Sequence, residues 1–176
     1  MEEQVGEVLI GPDLDLAGVR IVPLESPYTE SVLSHVCGNR PGNGVYMSAF
    51  GQRREWTGPD LEIEQFAGAW GATSAAEAVA QVRGVSSCGT YRGRDGLHRV
   101  LGERQLPGLP GLDSQLLFCE VIDEEGPERR TYLCTVLLAR GGIASRIETR
   151  AATAEMAEQV TRELTVLAAR SLTAVA

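Results

Sequence analysis

The chain has 176 residues, 43% of them hydrophobic and 23% charged, proportions that exclude wholesale disorder or a fibrous repeat and suit one domain burying roughly 70% of its unfolded surface. Its net charge of −8 argues against a nucleic-acid partner or an anionic membrane surface, both of which require a dominant cationic face. No apolar run reaches the ~20 residues that span a bilayer. All 16 basic residues are arginines, so lysine Schiff-base chemistry is also excluded.

The first residues, Met1-Glu2-Glu3-Gln4, are acidic and lack the basic and apolar regions of a secretory signal. The chain therefore reads either as cytosolic or as a mature or excised piece. Residues 1–25 read as a lead-in segment, with Val19 and Ile21 alternating as a short strand before the Val22-Pro23 break, and residues 26–176 as a single α+β domain. Ser26 as cap and Pro27 in the first turn predict a helix that places Val32, Leu33 and Val36 on one face and ends at Gly38. Residues 40–44 form a Gly/Pro/Asn loop, and Val45 to Phe50 is expected to be a strand.

Leu61 and Ile63 alternate with Glu62 and Glu64, the period of a half-buried strand running on towards Phe66 and Trp70. A second helix follows, with Ser74 and Glu77 at capping-box spacing, a stripe of Ala75, Val79 and Val82, and Gly84 as the stop. Gly89 to Gly96 is a polar glycine-rich stretch, and Leu106 to Gly111 is a rigid connector. Strands are then predicted at Gln115 to Ile122, Thr131 to Ala139 and Ile143 to Arg150. The first two are joined by an acidic loop around Gly126-Pro127, the last two by the tight turn at Gly141-Gly142. From Thr153 a terminal helix places Met156, Val160, Leu164 and Leu167 on one face and pairs Glu158 with Arg162 on the other. The expected fold is α+β, an antiparallel sheet of five to six strands packed against amphipathic helices.

Four cysteines remain to be placed. Cys119 and Cys134 are equidistant from the Gly126-Pro127 turn, so a simple hairpin register sets them opposite each other, with Val121 facing Tyr132 and Leu117 facing Val136. Cross-strand Cα separations overlap the range a disulfide accepts. Pairing by elimination leaves Cys37 with Cys88, each at a predicted helix end. The alternative is four reduced, buried thiols in a cytosolic protein. A zinc site is disfavoured because no two cysteines have short ligand spacing and only His35 and His98 are present.

The segments Ile63 to Tyr91 (IEQFAGAWGATSAAEAVAQVRGVSSCGTY), Leu116 to Ile122 (LLFCEVI) and Arg129 to Thr149 (RRTYLCTVLLARGGIASRIET) resemble the extracellular sensor domain of the mycobacterial PknH-type Ser/Thr kinases, found also in actinobacterial envelope lipoproteins. The resemblance spans roughly residues 26–172. It implies an antiparallel sheet backed by helices, two intramolecular disulfides of the same connectivity, and a cleft for an unidentified envelope ligand. The chain departs from that pattern in carrying Val85 where such domains often have a Trp before the second cysteine.

Signatures of catalysis are scarce. Gly84-Val85-Ser86-Ser87-Cys88 is not a nucleophile elbow, since Cys stands where the closing Gly belongs, and no phosphate-cradling glycine loop precedes a helix. A Cys88 nucleophile with His98 as its base requires a free thiol. Asp123-Glu124-Glu125 reads as a solvated turn before it reads as a metal site. Arg53, Arg54 and Trp56 combine charge with an aromatic ring, a pairing suited to an anionic or sugar-like group, and Trp70 and Tyr91 are further candidates for a ligand surface. A strand end that packs its Trp while its arginines face water is the first reading of Arg53, Arg54 and Trp56, and Trp70 and Tyr91 are core candidates before they are ligand contacts. The sequence thus points to a non-enzymatic extracytoplasmic sensor or ligand-binding domain of the cell envelope, without cofactor or metal. Its expected partner is a small molecule, a cell-wall component or an envelope protein. An envelope scaffold without a pocket and a thiol-dependent enzyme using Cys88 are the alternatives.

Overall fold

Period-two alternation, which puts successive side chains on opposite faces, builds most of this protein. A computed structural model describes residues 2–16, 18–22, 32–39, 50–70, 75–123 and 130–175. In chain order the elements are α1 (Glu2–Val8), β1 (Arg20–Val22), a 3-10 turn (Val36–Gly38), β2 (Phe50–Gly58), β3 (Leu61–Ala69), α2 (Ala75–Val85), β4 (Thr90–Arg92), β5 (Leu97–Arg104), β6 (Ser114–Asp123), β7 (Arg130–Arg140), β8 (Ile143–Ala151) and α3 (Ala154–Val175). The eight strands form one sheet in the order β1-β2-β3-β8-β7-β6-β5-β4, antiparallel throughout. Two meanders, β1 to β3 and β4 to β8, are therefore joined along β3 and β8.

Each face has its own core. On one, Trp56, Ile63, Leu117, Val136 and Ile147 pack with Val5 and Val8 of α1 and Leu164 and Leu172 of α3. On the other, Phe66, Trp70, Phe118, Leu137 and Ala144 pack under Ala78, Val79 and Val82 of α2 and Leu33 and Val36 beside the 3-10 turn. We call these the α3 face and the α2 face.

The eight strands exceed the five to six expected. The additional ones are β4 and β5 in the second meander, and their omission from the sequence reading has a physical cause. On β5 the apolar Leu97 and Leu101 are exposed while His98 is buried, the reverse of an amphipathic strand, and a bulge between Val100 and Gly102 breaks the alternation. Gly102 has φ +97° there, open to glycine at little cost. The strand expected at Val45 to Phe50 begins at Phe50 and runs to Gly58, and residues 45–49 lie outside the described residues, as do the predicted caps Ser26 and Ser74 and the Gly126-Pro127 loop.

The helix expected to end at Gly38 is also corrected. Val32, Leu33 and Val36 are buried as foreseen, but residues 32–39 make bends and a three-residue 3-10 turn, and the proposed start at 26–31 lies outside the described residues. Polar side chains compete for this backbone: Ser34 Oγ accepts from Val36 N at 3.3 Å, and Asn39 Nδ2 donates to Ser34 O at 3.0 Å. Cys37 takes a left-handed φ of +57°, a region that helices of L-residues do not use. In α2, Gly84 is helical and the helix ends at Val85.

The terminal helix starts as predicted, with Met156 N donating to Thr153 Oγ1 at 3.2 Å, and Arg162 pairs with Glu158. Its buried stripe is Ala157, Val160, Leu164, Ala168 and Leu172. Met156 and Leu167 are instead exposed, because small residues at 157 and 168 let the helix lie close to the sheet. Residues 1–25 contribute to the core through α1, whose Val5 and Val8 are wholly buried.

Both disulfides are present, and no described cysteine is free: Cys37 to Cys88, with a Cα separation of 5.8 Å, and Cys119 to Cys134, at 4.1 Å. The second lies in the hairpin register expected, flanked by Leu117 opposite Val136 and Val121 opposite Tyr132. It sits inside the α3-face core. The paired substitution Cys119→Ala with Cys134→Ala is expected to cost about 3 kcal/mol from the loss of a 15-residue closure. Thermal unfolding should show this as a drop in Tm of roughly 6–12 °C, and an unchanged Tm would contradict it.

Candidate functional site

Helix α2 rests on β6, β7 and β8 and covers only one end of its face. Towards the other end, the same alternation that buries Phe66 and Ala144 brings charged residues to the surface. Arg53, Glu55 and Thr57 come from β2, Glu62 and Glu64 from β3, and Arg146, Glu148 and Arg150 from β8. Register places Glu55 opposite Glu64 and Glu64 opposite Glu148, so three carboxylates stand in a row across adjacent strands. The next row is Thr57, Glu62 and Arg150.

Like charges directly opposite one another destabilise a sheet unless compensated, and the arginines compensate. Arg146 is buried, ion-pairs with Glu64, lies 3.4 Å from Glu148 and donates to Leu33 O at 3.2 Å. Its guanidinium also stands 5.6 Å from the Phe66 ring centroid, within cation–π range. Arg53 reaches Glu55 at 3.2 Å and Glu64 at 3.4 Å. Above these rows opens a cavity of about 400 Å³, lined by Val22, Glu55, Thr57, Glu62, Glu64, Glu148 and Arg150 together with the strand positions of Trp56 and Ile63. A second hollow of about 410 Å³ at the strand ends, by Pro59 and Arg130, shares Glu62 and Arg150 with it.

Arg150 also connects the cavity to a buried polar cluster. It ion-pairs with Asp95 in the β4–β5 turn, whose other oxygen lies 2.6 Å from His98 Nε2. His98 Nδ1 is 3.1 Å from the Tyr91 hydroxyl and 3.6 Å from Glu120 Oε1. Burial alone would lower the Arg150 pKa, but the Asp95 hydrogen bond and charge, with Glu148 and Glu62, raise it. Burial raises the Tyr91 phenol far above its ordinary value, and Glu120 raises it further. That is the opposite of what an activated nucleophile requires. Among the described residues no group of three His, Cys, Asp or Glu is placed to hold a metal ion.

The five residues singled out for a ligand surface are not gathered at one place. Arg53 stands beside the cavity. Arg54 and Trp56 point to the opposite face, where they hold the chain's own N-terminal segment: Arg54 donates to Ile10 O and Trp56 Nε1 to Pro12 O at 3.0 Å. The wholly buried Gln65 joins them, accepting from Ile10 N at 2.7 Å and donating to Val8 O at 3.3 Å. Trp70 packs edge-on against Phe66 under α2, and Tyr91 lies against His98 at the far edge of the sheet. Cys88 is bonded to Cys37, which removes the thiolate that a Cys88–His98 pair needs.

The sequence reading missed Glu64, Glu148, Arg150, Asp95 and Glu120. The available signal was the polar half of the alternation in β3 and β8, which in isolation looks like an ordinary solvated face.

No family model matches the chain, and no curated protein does. Solved structures share its fold, two of them mycobacterial. The extracellular domain of PknH from Mycobacterium tuberculosis superimposes with a TM-score of 0.58 at 12% identity, over 98% of this chain and 94% of that one. A putative uncharacterized protein from Mycobacterium smegmatis, an Rv0999 ortholog, gives 0.54 at 10% identity, over 89% and 90%. The fold expected from the sequence resemblance is the fold observed.

Two substitutions test this geometry. Trp56→Phe deletes the bond to Pro12 and leaves a cavity where the wider indole was buried, and urea unfolding should show a loss of at least about 1 kcal/mol; no loss would mean that neither the bond nor the packing of this side chain holds the N-terminal segment. A Cβ on Gly93 would lie 2.4 Å from His98 Nε2, so Gly93→Ala should displace the imidazole from Asp95. A clear change in the His98 ring resonances, with a lowered Tm, is the expected outcome, and unaltered resonances would refute it.

Proposed function

We propose that this chain is a non-catalytic sensor module of the bacterial cell envelope, working outside the cytoplasm, and that it binds its ligand in the open half of the α2 face around Arg150. One observation carries the reading. A sheet whose fold matches an extracellular domain holds a cavity of about 400 Å³ lined by charged side chains, already fixed in place by their own ion pairs. Such preorganisation reduces the ordering cost of binding. The two disulfides suit an oxidising compartment. No helix among the described residues is long and apolar enough to cross a membrane.

The lining chemistry narrows the ligand. Four glutamates face one arginine, so the cavity favours a ligand carrying an ammonium or guanidinium group together with a carboxylate or hydroxyl to meet Arg150. Peptide or amino-sugar components of a cell wall have this chemistry. Carboxylates already held by arginine, a displaced nucleophile pKa at Tyr91 and an oxidised Cys88 support a binding role over a catalytic one.

A second reading, a protein-interaction module, is favoured by the sheet edge. β4 pairs with only Leu97 to Arg99 of β5, leaving the exposed Leu101 on a strand open to a partner's strand.

Titration of the isotopically labelled protein with amine-bearing cell-wall peptide fragments, against anionic oligosaccharides as contrast, separates the two. The expected result is resonance changes at Glu64, Glu148 and Arg150, with affinity reduced tenfold or more by Glu148→Gln, equivalent to about 1.4 kcal/mol. Changes confined to β5 on adding envelope proteins, with none at the cavity for any fragment, would favour the interaction module.

A further inference from the structure

The cluster beside the cleft has a feature that ligand binding does not require. His98 is 4% exposed and Glu120 2% exposed, an uncommon location for ionisable groups, and the imidazole stands between two carboxylates from different elements. Asp95 Oδ1 faces Nε2 at 2.6 Å and Glu120 Oε1 faces Nδ1 at 3.6 Å. Only an imidazolium has a proton on each ring nitrogen. A neutral ring can still donate from Nε2 to Asp95 while Nδ1 accepts from the Tyr91 hydroxyl at 3.1 Å, but it loses the positive charge that stands between the two carboxylates, and the bond to Asp95 is then no longer an ion pair. Glu120 Oε1 has no hydrogen-bond partner in the structure, and the imidazolium is the cation that stands beside it, at 3.6 Å.

Asp95 extends the consequence across the sheet. Its turn starts at the sheet edge, yet its second oxygen pairs with Arg150 on β8, and β8 is three strands from β5, roughly 14 Å across a flat sheet. The turn at residues 93–96 therefore folds over the α2 face. It has no helix or disulfide of its own to hold it there. Gly93 N donates to Gly96 O at 2.9 Å within the turn, and the ties to the sheet are the His98 and Arg150 contacts of Asp95.

We propose that the β4–β5 turn is a proton-operated flap, held closed while His98 is charged and loosened when it loses its proton, which changes how firmly Arg150 is held at the cleft. The titratable groups against His98 among the described residues are Tyr91 from β4, Asp95 from the turn and Glu120 from β6, while from β8 Arg150 reaches Asp95 and Glu148 acts on Tyr91. Between them β7 presents Leu133 and Thr135, and the 3-10 turn packed on β4 adds only the disulfide.

The titration behaviour agrees. Burial would lower the His98 pKa from 6.5, but Glu120 and Asp95 outweigh it and the net direction is up. Burial would raise the Asp95 pKa, but His98 and Arg150 hold it at about 2, below its ordinary 3.8. A raised His98 pKa contributes stability that is complete below 6.5 and disappears as pH rises through the folded value. The depressed Asp95 value contributes above 3.8 and is lost as pH falls towards 2. The flap is thus held most firmly in the mildly acidic range between these limits.

The inference rests on the cleft reading only for what Arg150 does when less firmly held. Its test therefore uses the ligand-free chain. The imidazole resonances of His98, followed from pH 5 to 9, should show it titrating above the ordinary histidine value of about 6.5. Amide-exchange protection at residues 93–97, corrected for intrinsic rates, should fall across the same range, by up to tenfold for each pH unit separating the folded from the ordinary value. His98→Gln should abolish that pH dependence. Glu120→Gln, which keeps the imidazole, should move the His98 titration down. Together these results support the flap whether or not any ligand is found. His98 titrating at or below about 6.5, or turn protection that is flat with pH or unchanged in its pH dependence by His98→Gln, overturns it and leaves the cleft reading intact.

Discussion

The nine-residue pairing of β3 with β8 is the constraint on which the rest depends. β3 ends the first meander and β8 ends the second, so without this seam the sheet would be two separate sheets. The seam also sets Glu64 against Glu148 and Phe66 against Arg146. One register therefore builds the α2-face core, aligns the carboxylates at the cleft, and supplies the arginine that makes their alignment tolerable. A one-residue slip would send every one of these side chains to the other face.

The two faces answer different demands. The α3 face is closed by α1, α3 and the N-terminal segment, whose backbone is held by Arg54, Trp56 and Gln65 through direct hydrogen bonds. Trp56 and Gln65 are buried and Arg54 half-buried, and each has a hydrogen-bond partner, which explains their presence in an apolar layer. The α2 face is closed at one end and left polar at the other. A buried arginine with two carboxylates and a carbonyl is expensive to assemble and gives little net stability compared with a packed apolar alternative. What it does is fix the positions of the carboxylates that line the cavity.

The cluster of His98, Asp95, Glu120 and Tyr91 extends this logic to the sheet's far edge. Gly93 leaves room for the imidazole, Asp95 divides its two oxygens between His98 and Arg150, and the β4–β5 turn is brought over the sheet as a result. The polar half of the α2 face is in this way continuous from Glu55 to Tyr91, with Arg150 as its junction.

The sequence by itself determined what local period and equidistance can carry. The alternation of β6, β7 and β8 and the symmetric placement of Cys119 and Cys134 about one turn fixed a hairpin register correctly, because a hairpin pairs residues by counting from its turn. The cap at Thr153 and the period of 3.6 likewise located α3, although not its buried stripe, which depends on what the helix lies against. Only the tertiary structure decided which polar residues gather around the cavity. Glu64, Glu148 and Arg150 belong to strands whose outward halves look like ordinary solvated surface, and β5 hides its role by burying a histidine and exposing its leucines. Whether such residues meet water, a helix or one another is set by which strands pair and in what register, as Glu64 with Glu148 and His98 with Ile122, and no local pattern records this.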